Sequence, residues 1–244
     1  MIFNTHYQYI GGGGGGVPQF EYTGNYEYID DGGGNWRIKF LTSGVFTPLK
    51  DMVIDAFLVG GGAAGKGANW VSYGGSGGFT TTVKKIQLTK NTEYNVVIGA
   101  GGSGNGNAGG ASTGFTGRAA GANATYGQGG SGGALMRYSG HFTVNAGSDG
   151  ANGWDNSPGQ GSTTREFGEP TGDLYAGGGG AAYLSAGTSG IVYAKAGEGG
   201  GGGISGLTPL SGTQNTGGGG CGNEGPNATQ GSGGSGIVII RKAK

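Results

Sequence analysis

The chain has 244 residues, 67 of them glycine, and its 14 basic residues balance 14 acidic ones. No run of Lys or Arg is longer than Lys84-Lys85 before the terminal Arg241-Lys242-Ala243-Lys244, which excludes the basic footprint of a nucleic-acid binder. No apolar run approaches the roughly 20 residues that a membrane-spanning helix needs, so no membrane insertion is expected.

Glycine is spread unevenly: residues 1–59 hold 11, residues 60–236 hold 56 and residues 237–244 hold none. A fixed glycine loses more backbone entropy than any other residue, roughly 1–2 kcal/mol for each ordered backbone unit. An ordered glycine block therefore requires dense compensating contacts between backbones.

Taken in chain order, residues 1–35 read as an N-terminal arm or attachment segment. Met1-Ile2-Phe3-Asn4-Thr5-His6-Tyr7 has neither a basic n-region nor a long apolar stretch, so neither a signal peptide nor an anchor is expected there. A hexaglycine at 11–16 precedes the aromatic stretch 20–28. From Trp36 the pattern is that of a strand, with Trp36, Ile38 and Phe40 alternating with Arg37 and Lys39 as a half-buried strand requires. Residues 52–59 form a nearly continuous apolar run, as in a strand buried on both faces. Further strands are expected at 79–88 and 94–98, and the apolar residues 237–240 are expected to return and close the sheet. The expected fold is therefore all-β, a β-module over 36–98 closed by a strand at 237–241, with almost no α-helix.

Between them lies 99–236, where short glycine runs alternate with polar turns. Each run matches one or two turns of a three-residue, polyproline-II-like helix with a rise of about 3.1 Å per residue. Such a helix bonds nothing internally, and buried N–H and C=O groups need partners. Several helices packed side by side, in contacts that only glycine permits, meet that need. An inserted polyglycine-II bundle is expected rather than a collagen triple helix, because no strict Gly-X-Y period is present.

Two glycine triplets, Gly60/Gly62/Gly65 and Gly99/Gly101/Gly104, match the spacing of dinucleotide fingerprints, but no helical pattern follows either one. Without a helix N-terminus to hold a pyrophosphate, no cofactor is expected. His6 and His141 are the only histidines and Cys221 the only cysteine. No catalytic or metal-ligand grouping with the required spacing appears, so neither an enzyme nor a metal site is expected. Glu166 and Glu169 read as solvated turn charges, and Cys221 as a buried thiol. Aromatic residues inside the glycine block have two uses, as caps sealing the lattice or as rings presented for stacking on sugars or on a protein receptor. For the second use the candidate ligand-binding residues are Trp70, Tyr73, Tyr126, Tyr138 and Trp154.

The ordered series Phe46-Thr47-Pro48, Asp55-Ala56-Phe57-Leu58-Val59-Gly60-Gly61-Gly62, Tyr94-Asn95-Val96-Val97-Ile98-Gly99, the glycine block and the closing Gly236-Ile237-Val238-Ile239-Ile240-Arg241 resembles the glycine-rich domain of bacteriophage and prophage virion proteins. Thr163-Thr164-Arg165-Glu166-Phe167-Gly168 adds to the likeness. Two other systems are similar in kind: the tip adhesins of phage long tail fibres and the extracellular glycine-rich region of anaplastic lymphoma kinase. The resemblance implies a polyglycine-II lattice joined to a jelly-roll-like β-sandwich, with ligand contacts made by loops or exposed faces. It further implies a fibre or adhesin on the virion surface, outside the cell, that binds other virion proteins through the arm and a host surface glycan or protein receptor through the lattice. A homo-oligomer, of the trimeric kind common in fibres, is expected. The rival expectations are a capsid or tail decoration protein without a host ligand and a glycan depolymerase.

Overall fold

In a computed structural model of the chain, the described residues are 17–68, 71–123, 129–138, 142–145, 147–148, 160–184, 191–205, 208–224 and 228–244. They form an all-β body in which the helical content is two short 3-10 turns, Gly161–Thr164 and Glu166–Gly168.

Two sheets make a sandwich. The smaller runs in the order β1 (Phe20–Tyr22), β4 (Gly44–Pro48), β9 (Tyr94–Val96). The larger runs β2 (Tyr26–Gly32), β3 (Asn35–Phe40), β19 (Ile237–Lys242), β5 (Met52–Val59), β8 (Thr80–Leu88), antiparallel throughout. The closing strand therefore lies in the middle of the sheet, with Val238 opposite both Phe40 and Leu58. Residues 20–32, within the segment read as an arm, supply β1 and β2 to this sandwich.

Alternation explains how the layers hold. Ile54, Ala56, Leu58, Val238 and Ile240 face inward onto Phe20, Tyr22, Phe40 and Phe46. The aromatic rings interlock, with Tyr22 and Phe40 centroids 4.6 Å apart and Phe40 edge-on to Phe46 at 5.7 Å. Each such ring contributes roughly 1.5–3 kcal/mol of burial. On the other face of the larger sheet, Phe57, Val59, Ile237 and Ile239 pack under Phe167, Tyr175 and Ala176. Residues 160–176 thus form a strap across that face. Phe115, Phe167 and Tyr175, all from the glycine block, seal these two cores, the capping use of the block's aromatics.

Beyond the sandwich the backbone changes character. Residues 60–65 donate in turn to three different neighbours: Gly60 to Phe79, Gly61 to Gly110, Gly62 to Gly234, then again Ala63 to Ser76, Ala64 to Asn107 and Gly65 to Gly231. Every third N–H meets the same neighbouring segment, the repeat of a polyglycine-II helix. The carbonyls of Gly61, Gly62 and Ala63 accept from Ala122, Gly102 and Gly220, so segments on all sides enclose this one. Residues 217–222 are built alike, Gly219 and Gly222 donating to Gly177 and Gly180 while Gly217 and Gly220 accept from Gly78 and Gly75. A Cβ on Gly62 would stand 2.1 Å from the Gly218 oxygen, and one on Gly220 would stand 2.0 Å from the Gly231 oxygen. Only glycine allows that approach. The lattice takes in 60–65 and 74–79 as well as segments after residue 98, because the same glycine density recurs there.

Hydrogen-bond directions give the body a polarity. β5, β8, β9 and β19 all meet the lattice at one end of the sandwich, where Val59 lies opposite Ile237 and Thr80. At the opposite end the Leu49 N–H donates to Gln19, Phe20 lies opposite Pro48, and Lys242 lies opposite Ile54. Val17, the first described residue, and Lys244 therefore both lie at the base, away from the lattice. Where β-prone residues resume beyond the lattice, hairpins form. One sheet runs β13 (Phe142–Asn145), β12 (Leu135–Tyr138), β7 (Val71–Tyr73), β6 (Lys66–Ala68), and another β15 (Ile191–Ala194), β14 (Ala181–Leu184), β18 (Gly222–Glu224). Two small ribbons complete the set, β10 (Ser112–Gly114) with β11 (Gly117–Ala119) and β16 (Ile204–Ser205) with β17 (Thr208–Pro209).

Candidate functional site

Two regions concentrate side chains that can recognise something. The first is at the base. A cleft of about 400 Å³ opens between the larger sheet and the strap, lined by Arg37, Glu166, Phe167, Glu169, Arg241 and Lys244 among others. Arg37 and Arg241 face each other across the β3/β19 pair, and Asp55 follows on β5 in the same row. The Arg37 guanidinium donates to Asp31 at 2.9 Å and to Glu166 at 2.7 Å. Asp31 first, and Glu166 with it, raise its affinity for the proton above the ordinary arginine value, against the opposing effect of burial. Arg241 donates to Asp55 at 3.2 Å and to Glu169 at 2.8 Å, and its guanidinium lies 4.0 Å over the Phe167 ring. Phe167 holds that place from a left-handed backbone, φ +54°, an uncommon conformation for a bulky residue.

Two features of the larger sheet set this row. Opposite Asp55 the β5/β8 register shifts, Lys85 takes φ +56°, and its N–H donates to the Asp55 carboxylate. The bulge gives a buried charge a second partner, as buried charges require. Glu166, 3% exposed, accepts from Arg37 and from the Tyr175 hydroxyl, so it is not the solvated turn charge that its sequence neighbours suggest. Burial, with Glu166 next, pushes the Tyr175 phenol up. Lys244 above all, and Arg241 with it, hold the Glu169 carboxyl below its usual range. Each cation in this row is already matched by a carboxylate. The chemistry it supports is the clamping of the strap onto the sheet.

The second region is the lattice's far end. Residues 60–65 and 217–222 run away from the sandwich, as their antiparallel bonding to 74–79 requires, and continue into β6 and β18. Residues 129–134, also antiparallel to 74–79 through Ser131 and Ala134, continue into β12. Strands β6, β12 and β14 thus all extend from this end. Of the candidate ligand-binding residues, Tyr73 is half-buried in β7, opposite Lys66 and Leu135. Tyr138 ends β12 opposite Phe142. The structure places these two in one sheet. Trp70, Tyr126 and Trp154 lie outside the described residues.

Of the glycine triplets that match dinucleotide fingerprints, Gly60/Gly62/Gly65 sits within the lattice, where carbonyls of Ala120, Gly218 and Cys221 fill the space above it, while in the second Gly99 and Gly101 meet the carbonyls of Gly110 and Gly233 and Gly104 lies in an exposed bend. Cys221 is 1% exposed, and burial pushes its thiol up to about 12. Among the described residues, no group of three or more His, Cys, Asp and Glu side chains is placed to hold a metal ion.

Residues 41–243 match the family model described as a glycine-rich domain. The chain belongs to the glycine-rich domain family. In this glycine-rich domain, matched from just after β3 to the end of β19, the family region covers the lattice, the strap and most of the sandwich. No curated protein matches the chain. Arg37, Asp55 and Arg241 are the residues that sequence patterning missed. The available signal was a charge inside an otherwise apolar strand, Asp55 within Met52–Val59 and Arg241 after Ile237-Val238-Ile239-Ile240.

Proposed function

We propose that this glycine-rich domain is a structural protein of a bacteriophage particle, a fibre or adhesin on the virion surface that presents the far end of its lattice to a glycan or protein receptor on the host. The observation that carries this is polarity: Val17 and Lys244 lie at the base of the sandwich, while the lattice and the hairpins that continue it lie at the opposite end. A body attached at its base would hold those hairpins outward. The lattice suits the task because each backbone is bonded sideways to its neighbours, giving stiffness without a side-chain core. Recognition would come from shape and aromatic stacking at the tip, with Tyr73 and Tyr138 in the supporting sheet and Trp70, Tyr126 and Trp154 as further candidates.

Gold-labelled antibody against the purified chain tests this on intact particles. Labelling at one structure of the particle, with adsorption to host cells blocked, is the expected result. Adsorption left intact by bound antibody turns the assignment to a decoration or assembly protein. Particles that carry no label overturn the virion assignment.

A further inference from the structure

The sheet edges that meet the lattice are closed by side-chain amides. Asn105 bonds the N–H and the carbonyl of Gly67 in edge strand β6, Gln230 bonds those of Asn223 in edge strand β18, and Gln160 those of Thr80 where edge strand β8 begins. A carboxamide carries the donor and the acceptor of a peptide group, so each one occupies the place of a further strand. At these three residues a second chain finds nothing to bond.

Farther along β8 the edge is open. The Gln160 contact shows that Thr80 points its N–H and carbonyl outward, and alternation along a strand points those of Thr82 the same way. Past the register shift at Asp55, the Val53 carbonyl accepts from Ala243 on the β19 side, so Gln87, opposite Val53, faces outward as well. The N–H and carbonyl groups of Thr82 and Gln87 have no hydrogen-bond partner among the described residues. Between them, Lys84 and Lys85 fill the register shift and are exposed, and neither ammonium group is paired with a carboxylate among the described residues. From Thr80 to Lys90 the sequence has three lysines and neither Asp nor Glu.

Charge selects the partner. Two copies joined at this edge would set lysine against lysine, the means by which charged edge strands block self-pairing, while an extended segment bearing carboxylates gains backbone bonds and ion pairs together. We propose that the open edge of β8, Thr82 to Gln87, binds an extended acidic segment of a neighbouring protein as a further strand of the larger sheet. This rests on the base being the attachment end, toward which Gln87 lies while Thr80 lies toward the lattice, and it names the chemistry of what attaches there. The added segment accepts from the Thr82 and Gln87 N–H groups, donates to their carbonyls and brings its carboxylates to Lys84 and Lys85.

Titration calorimetry of the full chain tests it with three end-blocked probe peptides: alternating threonine and glutamate, alternating threonine and lysine, and the glutamate peptide with every backbone N–H methylated. The glutamate peptide is expected to bind at least about tenfold more tightly than either of the others, and to slow hydrogen exchange at the Thr82 and Gln87 amides, followed by NMR. Lys84→Glu with Lys85→Asn reverses the charge of the pair while keeping at the second position a residue that tolerates the left-handed backbone, and is expected to weaken the glutamate peptide at least about tenfold. Lys84→Glu alone serves should the double variant lower the melting temperature. A glutamate peptide that does not bind, that binds no more tightly than the lysine or the methylated peptide, that leaves both amides exchanging as before, or that binds the variant as tightly overturns the proposal. Antibody labelling of particles does not depend on these peptides, so failure here leaves the virion assignment standing.

Discussion

The sandwich and the lattice are held by opposite means within one chain. In the sandwich, Phe20, Tyr22, Phe40 and Phe46 fill space between sheets and the backbone bonds follow ordinary ladders. In the lattice few side chains are larger than a methyl group and the backbones themselves are the packing surface, with N–H groups meeting segments distant in sequence, as Gly62 meets Gly234. A Cβ is therefore the unit of cohesion in one region and an obstruction in the other.

The sharpest break in that contrast is a side chain placed at the lattice centre. Gly220→Val puts a Cβ 2.0 Å from the Gly231 oxygen and 2.5 Å from the Ser232 oxygen, both backbone atoms fixed by neighbours. A loss of at least about 4 kcal/mol is expected, read as a lowered melting temperature or as insoluble protein. Gly203→Val is the control, since nothing lies within 4 Å of its added Cβ, and a change within about 0.5 kcal/mol is expected there. Equal melting temperatures for the two variants would mean that backbone proximity does not hold the lattice.

The sandwich breaks by subtraction instead. Phe46 is fully enclosed and packs on Phe20, Phe40 and Phe115 at 5.2, 5.7 and 5.5 Å. Phe46→Ala removes all three contacts and leaves a cavity, at a cost of about 3–5 kcal/mol, measured by urea unfolding. Because β5 and β19 run directly into lattice segments 60–65 and 231–236, lattice amides are expected to lose hydrogen-exchange protection in the same step.

How much of this could be read from the residues alone differs between the regions. The alternation of Trp36, Ile38 and Phe40 and the apolar runs at 52–59 and 237–240 give β3, β5 and β19, because a strand's pattern is written in its own side chains. The glycine density gives the existence of a lattice but not its neighbours, since Gly62 carries no mark that points to Gly234 or Gly218. The same gap hid the charged row. Arg37 looks like the solvent side of an alternating strand until β19 is known to lie beside β3 and the strap is known to cover them both. Phe115, set among glycines and polar residues, gives no local sign that it belongs to the sandwich core.

The charged row offers a middle-sized effect. Arg241→Ala leaves Asp55, 2% exposed, with the Lys85 N–H but no cation, and breaking one side of such a buried pair costs about 3 kcal/mol. Arg241→Met combined with Asp55→Asn removes both charges, keeps an acceptor for Lys85 and preserves packing on Phe167. The double variant is expected to recover most of the loss, because a buried pair exchanged for neutral groups is close to neutral in stability. If the double variant is as unstable as Arg241→Ala, the row contributes through shape rather than charge.

The smallest effect lies at the strap's exposed edge. Glu169 has its carboxyl held below the usual range by Lys244 and then Arg241, and its side chain is 38% exposed, so solvent screens much of the benefit. A carboxylate depressed in the folded state contributes its stability above the unfolded value, about 4.3, and loses it as pH falls through the lower folded value. Wild type and Glu169→Gln are therefore expected to melt at separate temperatures at pH 6 and to converge toward pH 2. High salt should shrink the gap at pH 6, since screening acts most on exposed charges. A gap that is the same at both pH values would assign Glu169 a role in packing the strap and remove charge from its account.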